Sequence, residues 1–268
     1  MELVDTHCHI DVGEFDADRP QVLQRCRERG IRRLVVPAVM AAGWEALLAL
    51  CRSEPGLYPA LGLHPVYLDL HQSKDLEALG EWLDRHDPVA VGEIGLDFYI
   101  EELDRERQQR LFEAQLSVAR DAGKPVLLHV RKAHDAVIAS LRRIRVPGGI
   151  VHAFNGSLPQ ARQYQDLGFG LGFGGTLTYP RSQRIRGLAR ELPLESIVLE
   201  TDAPDMAVAA HRGERNSPEY LLDVLQALAE VRDQPPEEIA TQTTANAERI
   251  LGIDGNAHRQ TEPATSGP

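Results

Sequence analysis

Residues 3–9 read Leu3–Val4–Asp5–Thr6–His7–Cys8–His9, an apolar start that runs into His-x-His. Such a stretch reads as a buried strand ending in two imidazoles. Side chains alternate across a strand, so His7 and His9 point one way and Cys8 the other. Two imidazoles on one face can share a metal ion. Taken alone, such a pair is more often packing or chance than a pair of ligands. Its weight comes from repetition, because histidines and carboxylates recur where other apolar runs end.

Apolar, β-branched runs at 3–9, 32–38, 57–64, 88–94, 125–130, 149–153, 168–174 and 197–202 alternate with charged amphipathic stretches. Runs such as Leu34–Val35–Val36–Pro37–Ala38 and Val126–Leu127–Leu128–His129 are apolar on both faces, which suits parallel strands covered by helices. Helices are expected at 20–29, 44–52, 76–85, 104–122, 135–143, 159–167, 182–191, 219–231 and 236–251. The longest carries Leu111, Gln115, Val118 and Ala122 at helical spacing and Gly123 as its stop. Eight strand–helix alternations without a break in composition predict an α/β fold, a single-domain (β/α)8 TIM barrel over 1–253. An open, doubly wound sheet is the alternative, but it gives no reason for polar residues at so many strand ends. Residues 254–268 are polar, with Pro and Gly and no periodicity, and are predicted to form a disordered tail.

At 268 residues the chain can bury a substantial core. A net charge of −11 argues against tight, non-specific duplex binding. It leaves room for a nucleic-acid substrate held by a metal and a few arginines. Cys8, Cys26 and Cys51 are odd in number and lack C-x-x-C spacing, so they read as reduced thiols. The first residues enter a strand without a basic and apolar leader, and no apolar run reaches bilayer length. The expectation is a soluble, cytoplasmic protein without membrane association, and nothing implies a protein partner.

In such barrels chemistry sits at the C-terminal ends of the strands. Strand one ends in His7 and His9, strand four carries Glu93, strand five ends in His129, strand six in His152 and strand eight in Asp202. Each residue has an ordinary explanation by itself, as a cap, an ion-pair partner or a turn former. Together on one rim they would be costly to bury without a cation. The six candidates exceed the three or four protein ligands of a typical zinc site, so two divalent ions fit better than one. Ions about 3.5–4 Å apart need a bridging carboxylate, for which Glu93 is the natural candidate. His7, His9 and Asp202 would complete one site, and His129 and His152 the other. Two divalent cations and two carboxylates leave a positive surplus, which favours an anionic substrate such as a phosphodiester. Water acidified by the cations would attack phosphorus, with Asp202 taking its proton. Arg131 shares parity with His129 and would reach a phosphate at the barrel mouth. Glu200 shares parity with Asp202 one layer deeper, where it would orient a ligand or form a buried ion pair.

The blocks VDTHCHID, GLHP, GEIGLD, LLHVRKAHD, VHAFNGS and LETDAPDM resemble those of the TatD-type deoxyribonucleases, a branch of the metal-dependent, amidohydrolase-like barrels. The resemblance covers residues 2–252, and the blocks occur in order at the expected strand ends. It implies a TIM barrel, two divalent metals and magnesium-supported cleavage of DNA, often as a 3′→5′ exonuclease on single strands. Residue by residue, it makes His7, His9, Glu93, His129, His152 and Asp202 the metal ligands; Glu93 as the bridge and Asp202 as the proton acceptor are the catalytic candidates. His64, in Gly62–Leu63–His64–Pro65, would contact substrate phosphate, or else cap the next segment. The loop after strand eight keeps Arg212–Gly213 and Asn216–Ser217–Pro218 of the family pattern, but its Ala-rich part, 207–210, departs from it.

Arg181, Arg184, Arg186 and Arg190 follow strand seven, and Arg212 and Arg215 follow strand eight, as a possible phosphate track or a solvated helix face. Phe98, Tyr99 and Tyr179 are candidates for stacking a base. The expected partner is therefore single-stranded or frayed DNA, with RNA as an alternative. A competing reading keeps the scaffold and the metals but turns them on a carbonyl: a deacylase, lactonase or amidohydrolase, aminoacyl-tRNA included. Many such relatives bridge their metals with a carboxylated lysine on strand four, and this strand offers Glu93 and no lysine. Imidazoles suit zinc and other transition metals, whereas magnesium and manganese fit nuclease activity.

Overall fold

In the computed structural model, which describes residues 2–253, each apolar run pairs with the next. The strands β1 (Leu3–Asp5), β2 (Ile31–Pro37), β3 (Leu57–Leu61), β4 (Ala90–Asp97), β5 (Val126–Arg131), β6 (Gly149–Val151), β7 (Phe169–Phe173) and β8 (Ile197–Leu199) form one sheet in chain order. Every neighbouring pair is parallel. The ring closes just past the ends of β1 and β8. There the Thr6 amide donates to Leu199 O at 3.0 Å, that of Asp202 to His7 O at 2.8 Å and that of His9 to Ala203 O at 2.8 Å. Asp5 ties the same seam, accepting from the Thr201 amide and hydroxyl and from the His7 amide.

The strands alternate with α1 (Arg19–Glu28), α2 (Trp44–Ser53), α3 (Ser73–His86), α4 (Arg105–Asp121), α5 (His134–Arg143), α6 (Leu158–Asp166), α7 (Gln183–Glu191) and α8 (Leu221–Arg232), followed by α9 (Pro236–Leu251). The fold is a single-domain (β/α)8 TIM barrel. The tail expected over 254–268 lies outside the described residues. Among those residues no helix is long and apolar enough to cross a membrane.

Alternation along the strands makes two apolar layers. Val4, Val35, Ala60, Ala90, Leu127, Ile150 and Val198 point into the lumen, where Ala247 and Leu251 of α9 join them. On β7 the lumen residue is Gly170; a Cβ there would lie 2.6 Å from Ile250 Cδ1, so its absence admits α9. Asn246 fixes that helix to the floor of the barrel, donating to Leu194 O and Ile197 O at 2.8 Å each. Leu34, Val36, Leu128, Val151 and Leu199 face outward against the surrounding helices.

The same alternation carries β5, β6 and β8 from floor to mouth: Leu127 to His129 and Arg131, Ile150 to His152, Val198 to Glu200 and Asp202. Two strands break it. In β4 the pairing register shifts between Val91 and Ile94, both of which pack outward, and the irregularity turns Glu93 inward. β1 leaves the ladder after Asp5, so three positions, not two, separate Val4 from the inward-facing His7. The runs expected at 3–9 and 197–202 therefore end as strands at Asp5 and Leu199, whereas β4 extends to Asp97.

The buried face of α4 also differs from the expected stripe, comprising Gln108, Phe112, Gln115, Leu116 and Ala119. The two glutamines can be buried because each satisfies both backbone groups of a residue at the mouth. Gln108 accepts from the Asp97 amide at 2.8 Å and donates to its carbonyl at 2.9 Å. Gln115 does the same for Leu63 at 2.8 and 3.0 Å.

Candidate metal centre

A cavity of about 770 Å³ opens at the C-terminal end of the barrel. Glu93, 3% exposed, sits in its depth with imidazoles around it. Glu93 Oε2 lies 3.2 Å from His7 Nε2 and 3.8 Å from His9 Nε2. Its Oε1 lies 3.1 Å from His129 Nδ1 and 3.4 Å from His64 Nε2. Asp202 Oδ1 stands 3.8 Å from both His7 Nε2 and His9 Nε2, and its Oδ2 is 3.4 Å from His152 Nε2. The rings of His7 and His152 stack at 3.7 Å. All six residues expected as ligands thus meet in one place, and His64 joins them.

Three groups each bring three ligand atoms within 4.8 Å of one another: His7, Glu93 and His152; His7, His9 and Asp202; and His64, Glu93 and His129. The grouping differs from the expected one, with His152 on the His7 side and His64 beside His129. The donor set fits a cation. His7 and His9 turn their Nε2 atoms toward each other at 3.3 Å, flanked by two carboxylates. Imidazole nitrogens and carboxylate oxygens converging in a buried space are the donor set that a divalent cation takes.

Two further carboxylates hold the imidazoles from behind. Asp97 Oδ2 is 3.0 Å from His129 Nε2, which leaves Nδ1 for the Glu93 side. Glu200 Oε1 is 3.0 Å from His152 Nδ1, close but poorly aligned, and is anchored by the Ala153 amide at 2.6 Å. The two braces select opposite nitrogens, so His129 presents Nδ1 and His152 presents Nε2. Room for Glu200 comes from Gly172, where a Cβ would lie 2.1 Å from Glu200 Oε2. Asp97 escapes a reading of the sequence that stops at Glu93. Its signal is the pattern Glu93–Ile94–Gly95–Leu96–Asp97, two more steps along the same face.

The protonation pattern follows from these contacts. Burial pushes Glu93 up, but His64, His7 and His129 outweigh it and hold the carboxyl well below its ordinary range. Asp202 is likewise lowered against burial, chiefly by His152. Burial lowers His7 and His64. Burial would lower His129 too, yet its bonds to Asp97 and Glu93 carry it from 6.5 up to about 9. His152, also buried, is raised well above 6.5 by Glu200 and Asp202.

Arg131 lies at the rim with its guanidinium 3.7 Å from the Tyr99 ring centre, and Arg184 reaches the mouth while donating to Asn155 O and Gly156 O. Three of the other arginines that follow β7 and β8 are committed to structure. Arg186 donates to Leu177 O and Arg190 to Val231 O. Arg215 makes a forked pair with Asp18 at 2.8 and 2.7 Å. Tyr179 donates its hydroxyl to Ala207 O, while Tyr99 remains half exposed. His64 Nδ1 accepts from the Val66 amide at 3.2 Å, so this residue caps the following turn while its Nε2 faces Glu93.

The model of the TatD-related DNase family matches residues 4–252. The chain is 42% identical over 253 residues to YjjV of Escherichia coli, described as an uncharacterized metal-dependent hydrolase, covering 93% of this chain and 98% of that one. It is 31% identical to YabD of Bacillus subtilis, described in the same words, over 94% of this chain and all of the relative. The crystal structure of the E. coli YjjV protein superposes with a TM-score of 0.91, at 41% identity, covering 94% of this chain and 98% of that chain. A TatD-family hydrolase from Entamoeba histolytica, 18% identical, shares the fold with a TM-score of 0.84, over 94% and 98% of the two chains. The chain belongs to the TatD-related DNase family, and with it to the metal-dependent hydrolases built on this barrel.

Proposed function

We propose that this TatD-family chain is a two-cation phosphodiesterase that removes nucleotides from single-stranded or frayed DNA ends, as a 3′→5′ exonuclease, in the cytoplasm. RNA is a secondary substrate on this reading. One observation carries it: five imidazoles converge on Glu93 and Asp202 at the barrel mouth, a donor set able to hold a pair of divalent cations. His7, His9, His152 and Asp202 would hold one divalent cation and His129 the other, with Glu93 between them. Such a pair acidifies water and neutralises charge on phosphoryl oxygens. Magnesium or manganese is the working metal proposed, and zinc also fits the imidazoles. Arg131 and Arg184, the basic side chains lining the same pocket, favour an anionic phosphodiester over a neutral ester.

The chain's own residues then have distinct tasks. Asp202, held ionised beside His152, accepts the proton of the attacking water. Asp97 and Glu200 keep His129 and His152 in register. His64, whose Nε2 lies beside Glu93, and Arg131 both line the pocket and are proposed to take phosphate contacts there.

The test is an assay of purified protein with Mg²⁺, Mn²⁺ or Zn²⁺ on end-labelled single-stranded DNA, beside a panel of carboxylic esters. Release of mononucleotides is expected, with a loss of about 10³-fold or more in His129→Ala. Ester turnover without any phosphodiester cleavage would replace this reading with the acyl-hydrolase one.

A further inference from the structure

Beside the metal cluster, a second chain of polar side chains leads from the protein interior to the cavity. Tyr164 of α6 is fully buried and places its hydroxyl 3.2 Å from His134 Nδ1. His134, at the start of α5 and also buried, places Nε2 3.2 Å from Asn155 Oδ1. Phe154 packs edge-on against the rings of His134 and Tyr164, at 5.4 and 6.1 Å between centres. Asn155, in the loop after β6, is half-buried and lines the cavity. None of these residues belongs to the three metal-holding groups.

The donors and acceptors of this chain fit together in one way. Ala153 O can only accept, so Asn155 turns its amide nitrogen toward it, at 3.2 Å, and its amide oxygen toward His134. That oxygen also only accepts, so His134 Nε2 carries the ring proton. Burial lowers the pKa of His134, which keeps the ring neutral and leaves Nδ1 as an acceptor. Tyr164 donates to it, and burial pushes that phenol up, away from ionising. One of the two Asn155 Nδ2 hydrogens is used at Ala153. The other has no hydrogen-bond partner among the described residues, on a side chain that lines the cavity.

A neighbouring cation completes a site for an anion. Arg184 lines the same cavity and donates to Asn155 O and Gly156 O, both through Nη1, which sets its guanidinium against the Asn155 backbone. Resting on the phosphodiesterase reading, we infer that Asn155 and Arg184 form a subsite for a phosphate of the bound strand other than the one being cleaved, with Asn155 Nδ2–H donating to a phosphate oxygen. Asn155 is hydrogen-bonded to none of the ligand side chains. Its bond to substrate is therefore the same before and during bond breaking, and it acts on binding rather than on turnover. His134 is the positioning residue. It holds the amide oxygen, which leaves the donor for the cavity, and Tyr164 holds His134 in the tautomer that can do so.

Steady-state cleavage of a single-stranded oligothymidylate by the Mn²⁺-loaded enzyme tests this. Asn155→Ala should raise KM about tenfold and change kcat by less than about twofold. Asn155→Asp keeps the size of the side chain and the acceptor for His134, but sets a negative charge where the donor stood. Its KM should rise more than that of Asn155→Ala, and the excess should shrink as salt rises. His134→Gln, which can offer an N–H near the place of Nε2, should keep KM within about twofold of the wild type. His134→Leu combined with Tyr164→Phe, which leaves no buried hydroxyl orphaned, should raise KM about fivefold. Mn²⁺ bound per chain should equal that of the wild type throughout. An unchanged KM in Asn155→Asp, or a loss of metal or of kcat in place of the KM change, overturns this inference alone. A wild type that cleaves no DNA overturns the phosphodiesterase reading, and this inference with it.

Discussion

The floor and the mouth of the barrel use the same strands for opposite ends. At the floor, Leu127, Ile150 and Val198 fill the lumen with methyl groups against α9. Two residues farther along the same strands stand His129, His152 and Glu200. One step of the pleat takes the lumen from a dry core to a cluster of ionisable groups. Packing fixes the floor, since each buried apolar side chain gains by leaving water. Packing alone does not explain the mouth, because desolvating imidazoles and carboxylates is unfavourable. The difference locates stability in one layer and chemistry in the next, with strand alternation joining them.

That division can be broken by substitution. The largest effect should come from Leu127→Ala, which opens a cavity in the floor. It should cost about 2–5 kcal/mol of folding stability, measured by denaturant unfolding of the metal-free protein. Turnover per folded molecule should hardly change at a temperature where the variant stays folded. A variant that kept its stability but lost turnover would show the layers to be one unit.

Asp97→Asn probes the mouth in turn. It removes the carboxylate behind His129 without opening space. Metal affinity should fall about 10–100-fold, read by competition against a chromophoric chelator. Equal metal affinity in the variant would show that His129 is positioned by packing alone.

A smaller effect is expected from pH. The pKa of His129 rises on folding from 6.5 to about 9. Its pairing with Asp97 and Glu93 therefore stabilises the metal-free fold fully below about pH 6.5, and this contribution is lost as pH rises through about 9. A proton on Nδ1 also competes with a cation, so chelator competition should show metal affinity strengthening over the same interval. His129→Gln should flatten both trends relative to the wild type.

Much of this was legible in the residues. Eight apolar runs and their spacing indicate the barrel, and alternation from Leu127, Ile150 and Val198 delivers His129, His152 and Asp202 to the mouth. Alternation does not deliver Glu93, because the register shift between Val91 and Ile94 has no counterpart in the residue pattern. Nor does it show why Gln108 and Gln115 lie on the buried face of α4. Their partners are backbone groups of Asp97 and Leu63, brought together only by the closed sheet. The basic residues after β7 and β8 looked alike in sequence, yet only their three-dimensional partners separate Arg184 at the mouth from Arg215 on Asp18. Asp97 was visible as a residue on the Glu93 face, but its role depends on the direction of the His129 ring.

The most direct test of the central claim is the metal content of purified protein after equilibrium dialysis against Mn²⁺, read by elemental mass spectrometry for the wild type and Glu93→Gln. The account predicts about two ions per wild-type chain and no more than one in the variant, because the shared carboxylate joins the two groups. A wild type that retains no stoichiometric metal, or a Glu93→Gln protein that still holds two ions, would contradict it.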